Sequence, residues 1–428
     1  MGHWDGRAAA KENLRLFDST KKWRRYDDER DASDVVTEEG CARILESTLI
    51  NGLNSTNLLL LTGAGSSFCI KNAAGSTVTS ATAPGLKDLW DAVKAKVGDK
   101  PFNDVIGLIP NGSTIGDIEK LLTQCKLYVA LYGGTAGDGK LIADFVTNAE
   151  DAILARVDFV DADTDLTAHQ ALLRKIARRG IRKPRARVFT TNYDLSFEFA
   201  ARGHRFAVID GFSHAAPSVY DQSNFGLDIV RRDNAKEAPD YLDSVFHLYK
   251  LHGSIDWRRK STDIVRARDN SGTPVLIYPR DSKYQEAFEP PYLDMTAALQ
   301  SALREPDTAL FVAGFSFSDS HIAQPIMSAL ESNMSFRIIV CDPAFLDDAA
   351  IAKNPAVVAP STTLANPIHK KLVKLAEAGD ERITLLHGRF EDLALALPDL
   401  VAETERERHA QRMRTLREMD AKTGASKP

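Results

Sequence analysis

Paired cysteines are missing from this chain. Cys41, Cys69, Cys125 and Cys341 stand far apart, so neighbours form neither a C-x-x-C metal knuckle nor a disulfide framework. A reducing, cytoplasmic compartment is therefore expected. No stretch approaches the ~20 apolar residues of a transmembrane helix. The opening, MGHWDGRAAAKENLRLF, lacks the apolar segment of a secretory signal. Excess positive charge is missing as well. Lys and Arg number 54 against 59 Asp and Glu, a net charge of -5, so nothing draws the whole molecule toward nucleic acid or an anionic membrane. Internal repeats and low-complexity tracts are absent too. What is present is ordinary globular composition, 43% hydrophobic and 26% charged over 428 residues, with material for a sizeable core.

The apolar pattern divides the chain. Residues 1–34 are crowded with charge of both signs, and Val35, Val36, Cys41, Ile44, Leu45 and Leu49 recur at helical spacing. Residues 1–54 are thus expected to form a loosely attached helical arm. Leu58 to Leu61 are then continuously apolar and run into Gly63, the signature of a buried parallel strand entering a glycine turn. Helical patterns follow, with an insertion over about 90–165. Further strands are expected at ARVFTTN, RFAVID, SVFHLYKLH, PVLIYP, TALFVAGF, FRIIVCDP and ITLLHG. The alternation predicts an α/β fold over 55–400 with a mostly parallel sheet and a helical subdomain. Residues 401–428 read as a charged helix and tail.

Five stretches carry candidate chemistry. TGAGSS (62–67) follows a buried strand, where glycines let the backbone approach a pyrophosphate; a tight strand-to-helix turn explains it equally well. VFTTNYD (188–194) delivers Thr191, Asn192 and Asp194 to the carboxyl end of a strand, the edge where open α/β sheets bind ligands. Asp194 also suits a helix cap. LYKLHGSIDW (248–257) places His252 at a strand end, where a neutral imidazole can take a proton, and Gly253 leaves space beside it. His247 falls on the opposite face by strand alternation and reads as structural. GFSFSDSH (314–321) offers Gly314, Ser316 and Ser318 to a ribose or phosphate, or is simply another strand-to-loop turn. The basic run from Arg174 to Arg187 contains no acid. Direct nucleic-acid contact through it stays open, because the same cations suit a helix C-terminus and a solvated loop.

Taken in order, these stretches resemble the sirtuin family. Its glycine turn appears as Thr62-Gly63-Ala64-Gly65-Ser66, and its histidine-bearing helix as LTAHQALLRKI. Its T-Q-N-I-D motif appears as Thr191-Asn192-Tyr193-Asp194, its L-H-G as Leu251-His252-Gly253, and its G-T-S turn as Gly314-Phe315-Ser316. The resemblance covers residues 55–345 approximately. It implies a Rossmann-like fold that binds NAD, with Asn192 and His252 flanking the nicotinamide ribose as catalytic residues. Gly63, Ala64, Gly65 and Ser66 would hold the pyrophosphate, Gly314, Ser316 and Asp342 the adenosine half, and Thr191, Asp194 and Gly253 would complete the binding set.

Departures from the family pattern narrow the reading. Deacetylating sirtuins carry a zinc ribbon on two C-x-x-C pairs, and four such ligands are needed; here there are none, so neither a zinc ribbon nor a metal site is expected. The chain looks most like bacterial sirtuin-like effectors of antiphage defence that deplete NAD, some of which act with a HerA-like ATPase. That resemblance implies an NAD glycohydrolase with NAD as substrate, a homo-oligomer, a HerA-like partner and no membrane. An NAD-dependent protein deacylase and a non-catalytic ADP-ribose-sensing module are the alternatives.

Overall fold

A computed structural model describes residues 8–18, 20–70, 83–110, 112, 116–177, 179, 183–232, 240–269, 272–276, 290–347, 351 and 364–400. The expected C-terminal helix at 401–428 lies outside the described residues.

The strands are β1 (Arg15–Phe17), β2 (Trp23–Arg25), β3 (Glu29–Arg30), β4 (Val36–Glu38), β5 (Asn57–Thr62), β6 (Ala186–Thr190), β7 (Ala207–Ile209), β8 (Val230–Arg231), β9 (Asp240–Tyr241), β10 (Val245–Lys250), β11 (Gly253–Lys260), β12 (Asp263–Arg266), β13 (Thr273–Leu276), β14 (Thr308–Ala313), β15 (Arg337–Cys341) and β16 (Ile383–His387). The helices are α1 (Ala42–Leu53), α2 (Leu86–Val97), α3 (Asp99–Leu108), α4 (Ile118–Tyr132), α5 (Gly137–Val157), α6 (Thr167–Ile176), α7 (Ser196–Gly203), α8 (Tyr292–Arg304), α9 (Ser320–Ser332), α10 (Pro367–Glu377) and α11 (Phe390–Ala396).

One sheet organises the fold, in the order β2-β1-β16-β15-β14-β5-β6-β10-β7. From β16 to β7 every neighbouring pair is parallel. Strand β5 sits in the middle, the chain runs outward through β6 to the edge strand β7, comes back to insert β10 between them, and then crosses to the other side of β5 with β14. Apart from the inserted β10 this is the Rossmann order, and its reversal point lies between β5 and β14. Side chains alternate between two cores. Leu59, Leu61, Leu310 and Val312 face one, which includes Met295, Leu299, Ile326 and Leu372 from α8, α9 and α10. Leu58, Leu60, Ala309 and Phe311 face the other, which includes Leu45, Leu49, Leu172, Ala200 and Leu393 from α1, α6, α7 and α11. Helices on both faces explain why these strands read as unbroken apolar runs.

A third core joins α2 to α5, with Phe102, Leu121, Ile142 and Ile153 at its centre. Tyr193, Leu195, Ile255 and Leu276 belong to it. The helical insertion therefore braces the loop that carries Asn192.

Two expectations are corrected. The N-terminal segment is not a loose helical arm. Strand β1 pairs antiparallel with β16, and β2 with β1, so this segment extends the main sheet. Leu14 and Leu16 are buried, and the charges around them had hidden that pattern. The expected helix over 35–54 begins only at Ala42, because Val36–Glu38 pairs with Glu29–Arg30 instead. The second correction concerns PVLIYP, whose described part joins a small antiparallel sheet, β12-β11-β13, rather than the main one. Among the described residues no helix is long and apolar enough to cross a membrane.

Candidate active site at the strand ends

The loops after β5, β6, β10 and β14 meet at the reversal point. Two of them interlock. Gly65 N–H donates to Gly314 C=O at 2.9 Å. An added Cβ on Gly65 would lie 2.7 Å from the Gly314 Cα, and one on Gly314 would lie 2.3 Å from the Ser66 nitrogen. Gly314 also has φ +73°, which glycine adopts at little cost. The close approach read from the sequence as room for a pyrophosphate is thus made, at Gly65 and Gly314, by the other loop. The N–H groups of Ser66 and Ser67 turn back on Gly63 and Ala64 carbonyls.

Asn192 stands two residues beyond β6 and is buried. Its Nδ2 donates to Ser67 Oγ at 2.9 Å and to Ser66 Oγ at 3.2 Å. Ser67 Oγ in turn donates to Asp194 Oδ2 at 2.8 Å. The other carboxylate oxygen of Asp194 accepts the Ser196 N–H at 2.9 Å and the Ser196 hydroxyl, so Asp194 tethers the start of α7 and the glycine loop together. Thr191 Oγ1 lies where a Cβ on Gly63 would reach 3.1 Å.

His252 occupies the matching position beyond β10, and the two strands are adjacent and in register through Thr190 and Lys250. The rings of His252 and Tyr193 lie 6.5 Å apart. The imidazole Nε2 is 3.0 Å from Asp319 Oδ2. Burial alone pushes the Asp319 carboxyl up; the hydrogen bond and charge of His252, with the His321 N–H, more than reverse this and hold it below the usual range.

Gly253 departs from expectation. Its φ is +90° and an added Cβ would meet the Val275 carbonyl oxygen at 2.1 Å. The glycine is required where the chain leaves the main sheet to pair with β13; the space beside it is filled by backbone, not left for a sugar. Ser316 Oγ pairs with Ser318 Oγ at 2.9 Å, and its carbonyl accepts Asn366 Nδ2 at 2.7 Å. Asp342 Oδ1 accepts the Ala344 N–H at 2.7 Å, and Oδ2 lies 3.7 Å from His369 Nε2. Both residues lie on loops of the same sheet edge. His247 packs against Phe225, and burial, helped by the nearby arginines, lowers its pKa to about 4.

Lys250 was not singled out by the sequence reading. It lies at the end of β10, 1% exposed, and its Nζ donates to the Asp194 carbonyl, to Ser254 Oγ at 2.9 Å and to Glu198 Oε1 at 3.0 Å. Burial raises the Glu198 carboxyl, and Lys250 opposes that rise. A lysine inside an otherwise apolar strand was the available signal, since a buried cation must find partners. Here the partners are the carbonyls and side chains that shape the Asn192 loop.

Among the described residues Thr62 Oγ1 is buried without a hydrogen-bond partner, at the end of β5 beside Ala313 and Thr190. A polar atom left so at the reversal point calls for a ligand or water. Among the described residues no group of three or more His, Cys, Asp or Glu is placed to hold a metal ion.

Residues 186–360 match the family model of the SIR2-like domain. The match takes in Asn192, His252, Gly314, Ser316 and Asp342; the glycine turn lies before it. It supports a sirtuin-like family and an NAD-related enzymatic function. No curated protein matches the chain. The sirtuin-like reading and the Rossmann strand order converge on the same sheet edge.

The basic run of the sequence lies elsewhere. Arg178 and Arg182 are outside the described residues. Arg179 is buried and donates to the carbonyls of Leu53, Ser55, Thr56 and Pro184. Lys175 donates to Ala394 and Leu395 carbonyls, Lys183 to Asn54, Arg185 to Asp228 and Arg187 to Glu305. These cations close helix ends and join elements.

Proposed function

We propose that the chain is an NAD glycohydrolase that releases ADP-ribose and nicotinamide, and that it serves as an NAD-depleting antiphage effector. The observation that carries the reading is the juxtaposition of Asn192 and His252 on adjacent strand ends beside the reversal point. NAD supplies a C–N bond whose leaving group departs as neutral nicotinamide, so no strong general acid is needed. Water forms the new bond to the ribose carbon, the C–N electron pair leaves with nicotinamide, and the proton of the water passes to His252 and then to solvent. Asn192, oriented by Ser66 and Ser67, holds the ribose hydroxyls and the water; positioning of this kind is a large part of such catalysis. The glycine loop at 63–66, with Thr191, Asp194, Gly314, Ser316 and Asp342, forms the surrounding binding set. The scattered cysteines, which supply no ligands for a zinc ribbon, favour this reading over an NAD-dependent protein deacylase.

Purified protein incubated with NAD should release nicotinamide and free ADP-ribose in equal amounts. A product carrying an acyl group, formed only with an acyl-lysine peptide, would assign a deacylase instead. Binding of ADP-ribose without turnover would assign a sensor.

The assembly reading belongs here too. A hydrolase of NAD endangers its own cell, so restraint in a homo-oligomer or by a HerA-like ATPase fits the activity. Leu127, Leu131 and Tyr132 stand exposed on α4, an apolar surface suited to a partner. Light scattering before and after deletion of 401–428 tests the contribution of the tail. Deleting residues 1–30 would not test this cleanly, because it removes β1 and β2 from the sheet.

A further inference from the structure

His252 does not stand alone at its strand end, and its companion comes from a distant part of the chain. Asp319 precedes α9 and faces the imidazole across the sheet edge, with Oδ2 at 3.0 Å from Nε2. Both side chains are about nine-tenths buried, at 10% and 11% exposure. The carboxylate is held on its other side as well: Oδ1 accepts the His321 N–H at 2.9 Å, and the Asp319 carbonyl accepts from Ala323. The N-terminus of a thirteen-residue helix favours the negative charge. Two residues earlier, Phe317 has φ +55° and a buried ring packed on Phe315 and His369. A left-handed phenylalanine is costly unless its surroundings fix it, and here it anchors the turn that brings Asp319 to the site. Two other titratable groups face the pair: Tyr193, whose ring neighbours the imidazole, and His321, whose charge acts on Asp319.

We propose that Asp319 is the positioning residue of His252: it accepts the Nε2 proton, fixes that tautomer, and leaves Nδ1 as the basic nitrogen. The catalytic part of this rests on the hydrolase reading; the pairing itself does not. An ionised carboxylate only accepts hydrogen bonds, so Nε2 must donate and Nδ1 is left to take a proton. The same carboxylate stabilises the imidazolium that forms when it does.

Two substitutions separate this role from the helix cap. Asp319→Asn keeps the cap oxygen but turns an N–H toward Nε2, which imposes the opposite tautomer. Asp319→Ser keeps a cap but is too short to reach the ring. Both should melt close to wild type. Both should lower kcat for nicotinamide release by at least about 10-fold with KM changed little. Either variant turning over at the wild-type rate would overturn the positioning role. Two-bond proton–nitrogen correlation spectra of the full chain, labelled with 15N-histidine and assigned with His252→Gln, read the tautomer without substrate. The proton is expected on Nε2 in wild type and on Nδ1 in Asp319→Asn; a wild-type proton on Nδ1 would overturn the pairing. If wild-type protein releases no nicotinamide, the hydrolase reading fails, and the spectra still decide the tautomer.

Discussion

The two ends of the parallel strands use polar residues differently. At the amino ends of β5, β6 and β14, charge is abundant and committed. Arg179 holds carbonyls around the start of β5, Asp307 accepts from Thr56 N–H and hydroxyl, and Arg187 pairs with Glu305. At the carboxyl ends charge is present too, in Lys250 with Glu198, Asp194 and Asp319, but it holds the loops around uncharged groups: Asn192 on two serines, His252 on one carboxylate, and Thr62 Oγ1, which has no hydrogen-bond partner among the described residues. A dense run of arginine in the sequence therefore marks structure here. The modest Asn, His and Thr at strand ends mark the edge where the proposed NAD site lies.

Breaking the carboxyl end should cost activity and little stability. His252→Ala and Asn192→Ala are each expected to reduce NAD cleavage by about 10²–10⁴-fold, with melting temperatures near wild type; nicotinamide release by chromatography reads the loss. Breaking the amino end should do the reverse. Arg179→Met leaves several buried carbonyls without a donor, a loss of about 3 kcal/mol, visible as a lower urea midpoint with unchanged turnover per folded molecule.

A pH scan sharpens the contrast on a single strand. His247 titrates near 4 in the folded chain, chiefly because of burial, against about 6.5 when unfolded. Its folded value is depressed, so the unfolded chain takes the proton first. The stability it contributes is complete above about pH 6.5 and is lost as pH falls toward 4, by at most about 3 kcal/mol. His169, fully buried between Phe197 and Phe390, shifts in the same direction. His247→Phe should flatten the stability curve over that window, measured by urea titration at stepped pH. The smallest effect is expected at Lys183, which is only partly buried and donates to the exposed Asn54 carbonyl. Lys183→Ala should change stability by about 0.5 kcal/mol or less in the same assay.

The strands around the site were legible because each is a continuous apolar run that stops at a small or polar residue. LLLLTG, VFTTN, HLYKLHG and TALFVAG announce both the parallel sheet and its carboxyl edge, and family order supplied the rest. What was hidden depends on contacts between distant segments. Asp319 was not singled out in GFSFSDSH; that it caps α9, and that its second oxygen meets His252, 67 residues earlier, emerges only when the loops after β10 and β14 come together. Gly253 reads as open space until β13 is folded against it. The sheet-forming Arg15–Phe17 lay inside a crowd of charges too short for any period to emerge.

That small strand sets a schedule for the chain. Strand β1 pairs with β16, and Ala10 and Asn13 donate to Asp392, so a strand made early needs one made late. At the usual synthesis rate of about 5–20 residues per second, the N-terminal segment waits roughly 20–70 seconds for its partner. Through that interval β16's place is empty and the sheet keeps a bare edge, a site for mispairing or for a chaperone. In that sense the closure of β1 on β16 ties two distant stretches of the chain to one moment of folding.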